Sequence, residues 1–328
     1  MLGFILSRVL QAIPVLLAVG LLAFALFAYI GDPVTALAGQ DASSEHRARL
    51  AHQLGLDQPF IVRYFRFLAL ALHGDFGISF RVAQPVASLL AERLPATLEL
   101  AVTASVLAIA IGVPMGVYTG IRPAAPLSRV FMIASLAGVS LPTFLLGILL
   151  ILVFAVSLGW LPSFGRGAVT PLGTWWTTGF GTWAGIRALI LPAITLGLFQ
   201  MTLIMRLVRS EMLEVLRTDY IRFARARGLS DRAINFTHAL RNTLVPVITI
   251  IGLQFGGVVA FSLVTESVFQ WPGLGLLLVQ SIAAADIPVM SAYLLLIALL
   301  FVIINLIVDI LYFVVDPRLR GGLYGPSR

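Results

Sequence analysis

The chain has 328 residues, 59% of them hydrophobic and only 11% charged, with a net charge of +7 and a mean hydropathy of +0.99. Soluble domains carry about 25% charged residues, so this composition specifies an integral membrane protein, with bilayer lipid as its solvent. It has no cysteine, which removes disulfides, thiolate metal sites and cysteine nucleophiles, and its 22 cationic residues are all Arg. Without Lys there is no Walker-type phosphate loop, so ATP used with this chain must be bound by another. The Arg residues are spread over several loops, as in membrane proteins generally, and do not form a nucleic-acid stripe.

Residues 1–30 hold a short basic start and an apolar run, Val9 to Ile30, long enough at about 33 Å to cross a bilayer. Tyr29 and Ile30 spoil a signal-peptidase site, so the run is expected as a first transmembrane helix. Residues 31–95 form the longest polar segment. The spacing of Leu50, Leu54, Ile61, Tyr64, Phe65 and Leu68 predicts two short amphipathic helices, with a start at Asp57-Gln58-Pro59 and turns at Gly74-Asp75 and Gly77. This layer is too small for an enzyme domain.

Residues 96–315 carry the remaining spans. The second, Ala96 to Gly120, is expected to open at Pro95 and to bend at Pro114. Ala104, Ala108, Gly112, Gly116 and Gly120 recur every four residues and make one small-residue stripe, which serves either static close packing or a moving interface. Glu99 falls in the predicted first turn, where it answers the helix dipole or meets substrate. The third span, Val130 to Leu158, is interrupted at Leu141-Pro142, and a loop with Trp175, Trp176 and Trp183 follows. The fourth span is Ala188 to Val208. The fifth, Val247 to Val268, bears a second stripe of Gly252, Gly256 and Ala260, and the sixth is Ser291 to Val315. A tail at 316–328 ends the chain.

Six spans put both termini on one side. With the termini cytoplasmic, 14 Arg lie inside and 8 outside, and six of those 8 belong to the one long loop, where charge asymmetry carries little information. The polar island at 209–246 is then cytoplasmic. In it seven Arg and His238 are set against Glu211, Glu214, Asp219 and Asp231. Asp219 is placed to cap a helix from Tyr220 to Arg227, Gly228 to end it with a left-handed turn, and Ser230 or Asp231 to restart a helix through Asn242. Tyr220, Phe223, Ala224 and Arg227 share a face that suits insertion into a partner's groove, and the alternative is a solvated helix at the membrane surface.

Acidic groups within the spans are few: Glu99, Glu266 and Asp309. Gln200, Gln254 and Asn305, with Asp309 on the Asn305 face, are candidates for the lining of a translocation path. Interhelical hydrogen bonding is the competing role. The four His residues (His46, His52, His73 and His238) make no ligand cluster, so no metal site is expected. A proton-coupled transporter would want buried relays and inverted repeats, and a membrane hydrolase would want a Ser/His or metal constellation at membrane depth.

Nine stretches carry a resemblance: GDPV after the first span, LGLDQPFIVRYFRF, HGDFGISF, PVASLLAERLPATLEL, LPAITLG, DYIRFARARGLS, HALRNTLVPVIT, ESVFQWPGLG and NLIVDILYFVVDPRLR. In this order and spacing they resemble the B-type permease subunit of the dipeptide, oligopeptide and nickel class of bacterial ABC importers. The resemblance runs nearly end to end. It implies a type I importer fold in the inner membrane, a second homologous permease, two ATP-binding subunits that use ATP and Mg, and a periplasmic solute-binding protein received on the 31–95 loop. It implies no cofactor on this chain. Peptides are the implied cargo, with nickel chelates, glutathione and opines as alternatives. The docking loop of ABC importers reads E-A-A-x3-G-x9-I-x-L-P. Aligned on Gly228, this chain has Arg222, Phe223 and Ala224 for EAA, His238 for Ile and Leu240-Arg241 for Leu-Pro. Ala224, Gly228 and Leu240 match and the acidic anchor is lost, so the implied ATPase contact is Asp219 to Leu229 without it.

Overall fold

The computed structural model describes residues 2–29, 34, 43–53 and 57–315. Gly31-Asp32-Pro33, Leu54 and the 316–328 tail lie outside the described residues. The fold is helical: α1 (Leu2–Tyr29), α2 (Ser44–Gln53), α3 (Phe60–Leu72), α4 (Val86–Ile121), α5 (Pro126–Ser140), α6 (Thr143–Leu150), α7 (Trp183–Val215), α8 (Asp219–Ala226), α9 (Leu240–Val268), α10 (Leu274–Ala283) and α11 (Ile287–Val315). A two-stranded ribbon, β1 (Thr170–Pro171) and β2 (Thr177–Thr178), interrupts the loop before α7. Among the described residues, five helical stretches are long and apolar enough to cross a membrane: Ile5–Leu26, Val86–Ile121, Trp183–Val215, Pro246–Val268 and Ile287–Ile310. Apolar helices are the form such segments take, because lipid offers no partner to an open backbone N–H or C=O.

The expected third span is split. α5 ends at Ser140, Leu141-Pro142 is non-helical, and α6 passes into a π-helical stretch at Ile151–Ser157. Pro142 lacks an N–H and disfavours helical geometry at Leu141, so two short helices replace one long one.

The second span corrects the expectation most. α4 begins at Val86, well before Pro95, and runs unbroken through Pro95 and Pro114 to Ile121. Its first turns are held by packing: Val86, Leu89 and Leu90 are buried with Leu274, Leu277, Val289, Ala292 and Tyr293. Burying several such side chains stabilises by about 1.5–3 kcal/mol each, which outweighs the one backbone bond that Pro95 forgoes. The stretch after Trp271-Pro272-Gly273, to which the sequence reading assigned no span, folds as the separate helix α10.

The chain divides into two compact units. One comprises Met1–Ala96, Pro171–Thr177 and Pro272–Ile303, and the other Thr97–Thr170, Thr178–Trp271 and Ile304–Arg328. In the first, two short helices of the polar loop are present as α2 and α3, and α3 packs on α1. The turns at Gly74 and Gly77 adopt positive φ (76° and 78°), as read from the sequence. The loop after them is pinned by Asp286, in the turn between α10 and α11. Its buried carboxylate accepts from Ser79 Oγ, from Phe80 N at 3.1 Å and from Arg81 N at 3.3 Å, while Arg81 donates to Gln280 at 3.0 Å.

In the second unit, α7 is the central element. It packs against α9, α6 and α5, and the α4 stripe seats directly on it. A Cβ added to Gly112 would stand 2.8 Å from the Met201 carbonyl oxygen. One on Gly116 would stand 2.6 Å from Val208 Cβ, and one on Gly120 2.6 Å from Met212 Cβ. The backbones approach so closely only because these positions carry no side chain. On α9, Gly252 faces Val308 with 2.5 Å for an added Cβ, and Gly256 is buried.

Candidate functional site

The polar island folds as read in outline and differs in detail. α7 runs on to Val215, the short helix α8 follows, and helical backbone resumes after Ser230, passing through a π-helical stretch at Ala233–Ala239 into α9. Gly228 has φ +79°, the left-handed turn expected of it. Ser230 Oγ accepts from Ala233 N at 3.4 Å and so restarts the helix.

Asp219 is not the cap. It is the first residue of α8, Thr218 occupies the capping position, and the Asp219 carboxylate instead takes a hydrogen bond from Arg222 at 3.2 Å. Thr218 supplies no cap, because its hydroxyl donates backwards to the Val215 carbonyl at 2.6 Å. An exposed carboxylate in the first turn still answers the helix dipole.

Ala224 is also corrected. It is 7% exposed and lies beside the fully buried Ile221, in a cluster with Val208, Met212, Ile234 and Ala239. The outward side is Tyr220, Phe223 and Arg227, with Phe223 64% exposed and the Arg227 guanidinium 5.8 Å from the centre of its ring. Leu229 is exposed next to them. Tyr220 ties the element to the helix that follows: its hydroxyl accepts from Asn242 at 2.6 Å and donates to the His238 carbonyl at 3.4 Å. The result is an outward aromatic and cationic ridge whose base is locked into the core.

A cavity of about 350 Å³ opens in the same unit, lined by Thr143 at the start of α6, by Leu196, Phe199 and Gln200 of α7, and by Gln254, Gly257, Val258, Phe261 and Val264 of α9. Gln200 and Gln254 thus line the same cavity. Asn305 and Asp309 are half-buried on α11 and do not line this cavity. Gln200 accepts from Ser105 Oγ at 3.1 Å, and its Nε2 is buried with no hydrogen-bond partner among the described residues. Among the described residues no group of His, Cys, Asp and Glu is placed to hold a metal ion.

Glu99 is not a first-turn residue. It sits deep in α4, nearly inaccessible, in an ion pair with Arg166 of the loop before β1, and it accepts from Thr178 Oγ1 at 3.0 Å and Gly179 N at 2.8 Å. Arg166 Nε donates to the same carboxylate at 2.9 Å. Glu266 is fully buried and accepts from Thr97 at 2.7 Å and Ser262 at 3.0 Å. These contacts hold loops and helices in place. The Asp286 anchor and the role of Arg166 escaped sequence reading; the one available signal was an Arg in a loop otherwise rich in Gly and Trp.

Residues 112–321 match the family described as binding-protein-dependent transport system inner membrane component, and residues 1–101 match that family's N-terminal region. The chain is a permease of the binding-protein-dependent transport family. A Brucella abortus (strain 2308) protein named as a peptide transport system permease is 45% identical to this permease over 323 residues, 98% of this chain and 99% of that one. The glutathione transport system permease protein of Salmonella typhi is 40% identical over 322 residues, again 98% and 99% of the two chains. The fold of the permease is shared with an inward-facing structure of the MetNI methionine ABC transporter, at TM-score 0.55 and 22% identity, covering 70% of this chain and 96% of that one. The permease is a multi-pass protein of the inner membrane and the membrane subunit of an ABC importer, in agreement with the family resemblance of its motifs.

Proposed function

We propose that this permease passes peptides across the inner membrane by alternating access, driven by ATP that other chains hydrolyse. The observation that carries the cargo class is the cavity. Its polar lining consists of the neutral side chains of Thr143, Gln200 and Gln254, and no charged residue among the described residues lines it. A zwitterionic chain of amides finds hydrogen-bond partners there without a fixed charge to trap it. The names of the relatives point the same way, and glutathione, itself a tripeptide, is the second reading that they favour. Nickel chelates and opines remain outcomes of the test below.

In this reading the permease is non-catalytic and pairs with a second, homologous permease. Two ATP-binding subunits, holding ATP and Mg, take the ridge of Tyr220, Phe223, Arg227 and Leu229, with Asp219 and Arg222 at its edge. Ala224 and Gly228 shape that ridge from beneath. A periplasmic solute-binding protein meets the 31–95 loop, whose 77–85 portion is held by Asp286. Both termini lie in the cytoplasm. The absence of the acidic anchor leaves Arg222 in its place, which calls for an acidic or carbonyl-rich surface on the ATPase.

The test is uptake by the assembled complex in proteoliposomes, with mass spectrometry of the ligand that co-purifies on the binding protein. Peptide on the binding protein, and uptake that needs ATP and survives a protonophore, is expected. Uptake that persists without the ATP-binding subunits and stops when the proton gradient collapses would overturn the mechanism. A co-purifying nickel chelate or opine would overturn the cargo.

A further inference from the structure

Helix α3 has three distinct sides. One side is spent on α1: the Phe24 ring meets Phe60, Phe67 and Tyr64 at centroid distances of 5.0, 5.6 and 5.8 Å. The Tyr64 hydroxyl donates to the Leu17 carbonyl at 2.8 Å, and Leu68 lies 3.0 Å from where a Cβ on Gly20 would stand. Gly20 and Phe24 precede Leu26, the end of the α1 span, by six and two residues. At 1.5 Å per residue they lie roughly 3–9 Å inside that end, so α3 is held at about the depth of the headgroup and acyl boundary.

The second side is apolar and bare. Ile61 and Phe65 are each 60% exposed and Leu72 is 87% exposed, and helical geometry places all three in one narrow sector. The third side carries Arg63 and Arg66. Arg63 stacks over Phe24 with its guanidinium 5.8 Å from the ring centre, and Arg66 is exposed. Apolar sector and cationic edge together form the pattern of a helix lying in a membrane surface, with arginine heads reaching to the phosphates and stems covering apolar surface. The α1 span beside it is itself largely uncovered within the chain, with 17% of its 18-residue apolar stretch buried, so the two helices offer adjoining bare apolar surfaces.

We propose that α3 is an interfacial helix, seated in the lipid leaflet at the Leu26 end of α1 with Arg63 and Arg66 on phospholipid phosphates. It acts as a float that fixes the tilt of α1 and the height of the loop that follows, independently of which cargo the permease carries.

The permease has no cysteine of its own, so a single one can be labelled cleanly. Nitroxide labels on Phe65→Cys, Leu72→Cys and Arg66→Cys would be read in the assembled transporter, with cysteine-free partner chains, in nanodiscs of phosphatidylethanolamine and phosphatidylglycerol. Relaxation by dissolved oxygen would be compared with relaxation by a water-soluble nickel chelate. The expected result is a several-fold higher oxygen-to-nickel ratio at positions 65 and 72 than at 66. Equal access of the nickel chelate to all three sites would place α3 in water. Shielding of 65 and 72 from both reagents would place it against another protein. Either overturns the proposal. Leu72→Cys, at the exposed end of the helix, keeps the test alive if Phe65→Cys fails to assemble.

Discussion

Gly116 and Gly257 are the same residue in opposite surroundings. A Cβ on Gly116 would stand 2.6 Å from Val208 Cβ and 2.7 Å from the Met205 carbonyl oxygen, whereas nothing lies within 4 Å of one on Gly257. Gly116→Ala is therefore expected to destabilise by about 1–3 kcal/mol through overpacking. Gly257→Ala, inside α9 with open space for the methyl, should instead stabilise by up to about 1 kcal/mol. Thermal unfolding of the purified protein in detergent checks the pair, and equal melting points would contradict the close approach of α4 and α7. The four-residue spacing of small residues was visible in the sequence because helical periodicity is local. The partner of Glu99 was not, since Arg166 lies 67 residues away in a loop that no periodicity reports. Removing one member of a buried pair strands the other, at about 3–5 kcal/mol, while replacing both can recover much of that. Arg166→Met is expected to lower the yield of folded protein sharply, and Glu99→Gln with Arg166→Met to restore part of it. A double variant no better than the single would show that the loop depends on the pair itself.

For α8, the turn at Gly228 was legible because few residues other than Gly adopt positive φ readily. The inward side of the helix was not, because Tyr220, Ile221, Phe223 and Ala224 put apolar groups on both sides of a two-turn helix. Burial then separates two substitutions that the sequence alone would have grouped together. Ala224→Glu places a carboxylate beside Ile221 and Met212 and is expected to prevent folding of the island, read as loss of the protein from the membrane fraction. Phe223→Ala removes an exposed ring and should leave expression and melting unchanged while uncoupling ATP hydrolysis from uptake. Normal coupled uptake by Phe223→Ala would remove the ridge as the docking surface. Similarly, Pro95 misled the reading of α4 because local propensity was overruled by the burial of Val86, Leu89 and Leu90.

For the whole chain, hydropathy located the long spans, since a bilayer sets their length more strictly than any other constraint. It did not foresee that α10 would fold as a helix of its own or that α4 would outrun a bilayer's thickness, because both depend on contacts between distant segments. The cavity likewise joins α6, α7 and α9 and has no signature in any one of them. Gly257→Leu places a branched side chain into that space from a position with room for it. Folding and partner assembly should be retained while the uptake rate falls several-fold. Unchanged uptake would remove this cavity from the path.

The uninterrupted course of α7 has a mechanical consequence. Gln200, at the cavity, and Val215, the last residue of α7 before the turn into α8, belong to one rod and are separated by fifteen residues, about 22 Å. With α4 clamped along it by the glycine stripe, the rod is doubled and resists bending. A tilt of about 5° at its base then carries the wall of the cavity through about 2 Å. That stroke exceeds a water molecule's radius, so a small rotation at the Val215 end is enough to change the width of the cavity at Gln200.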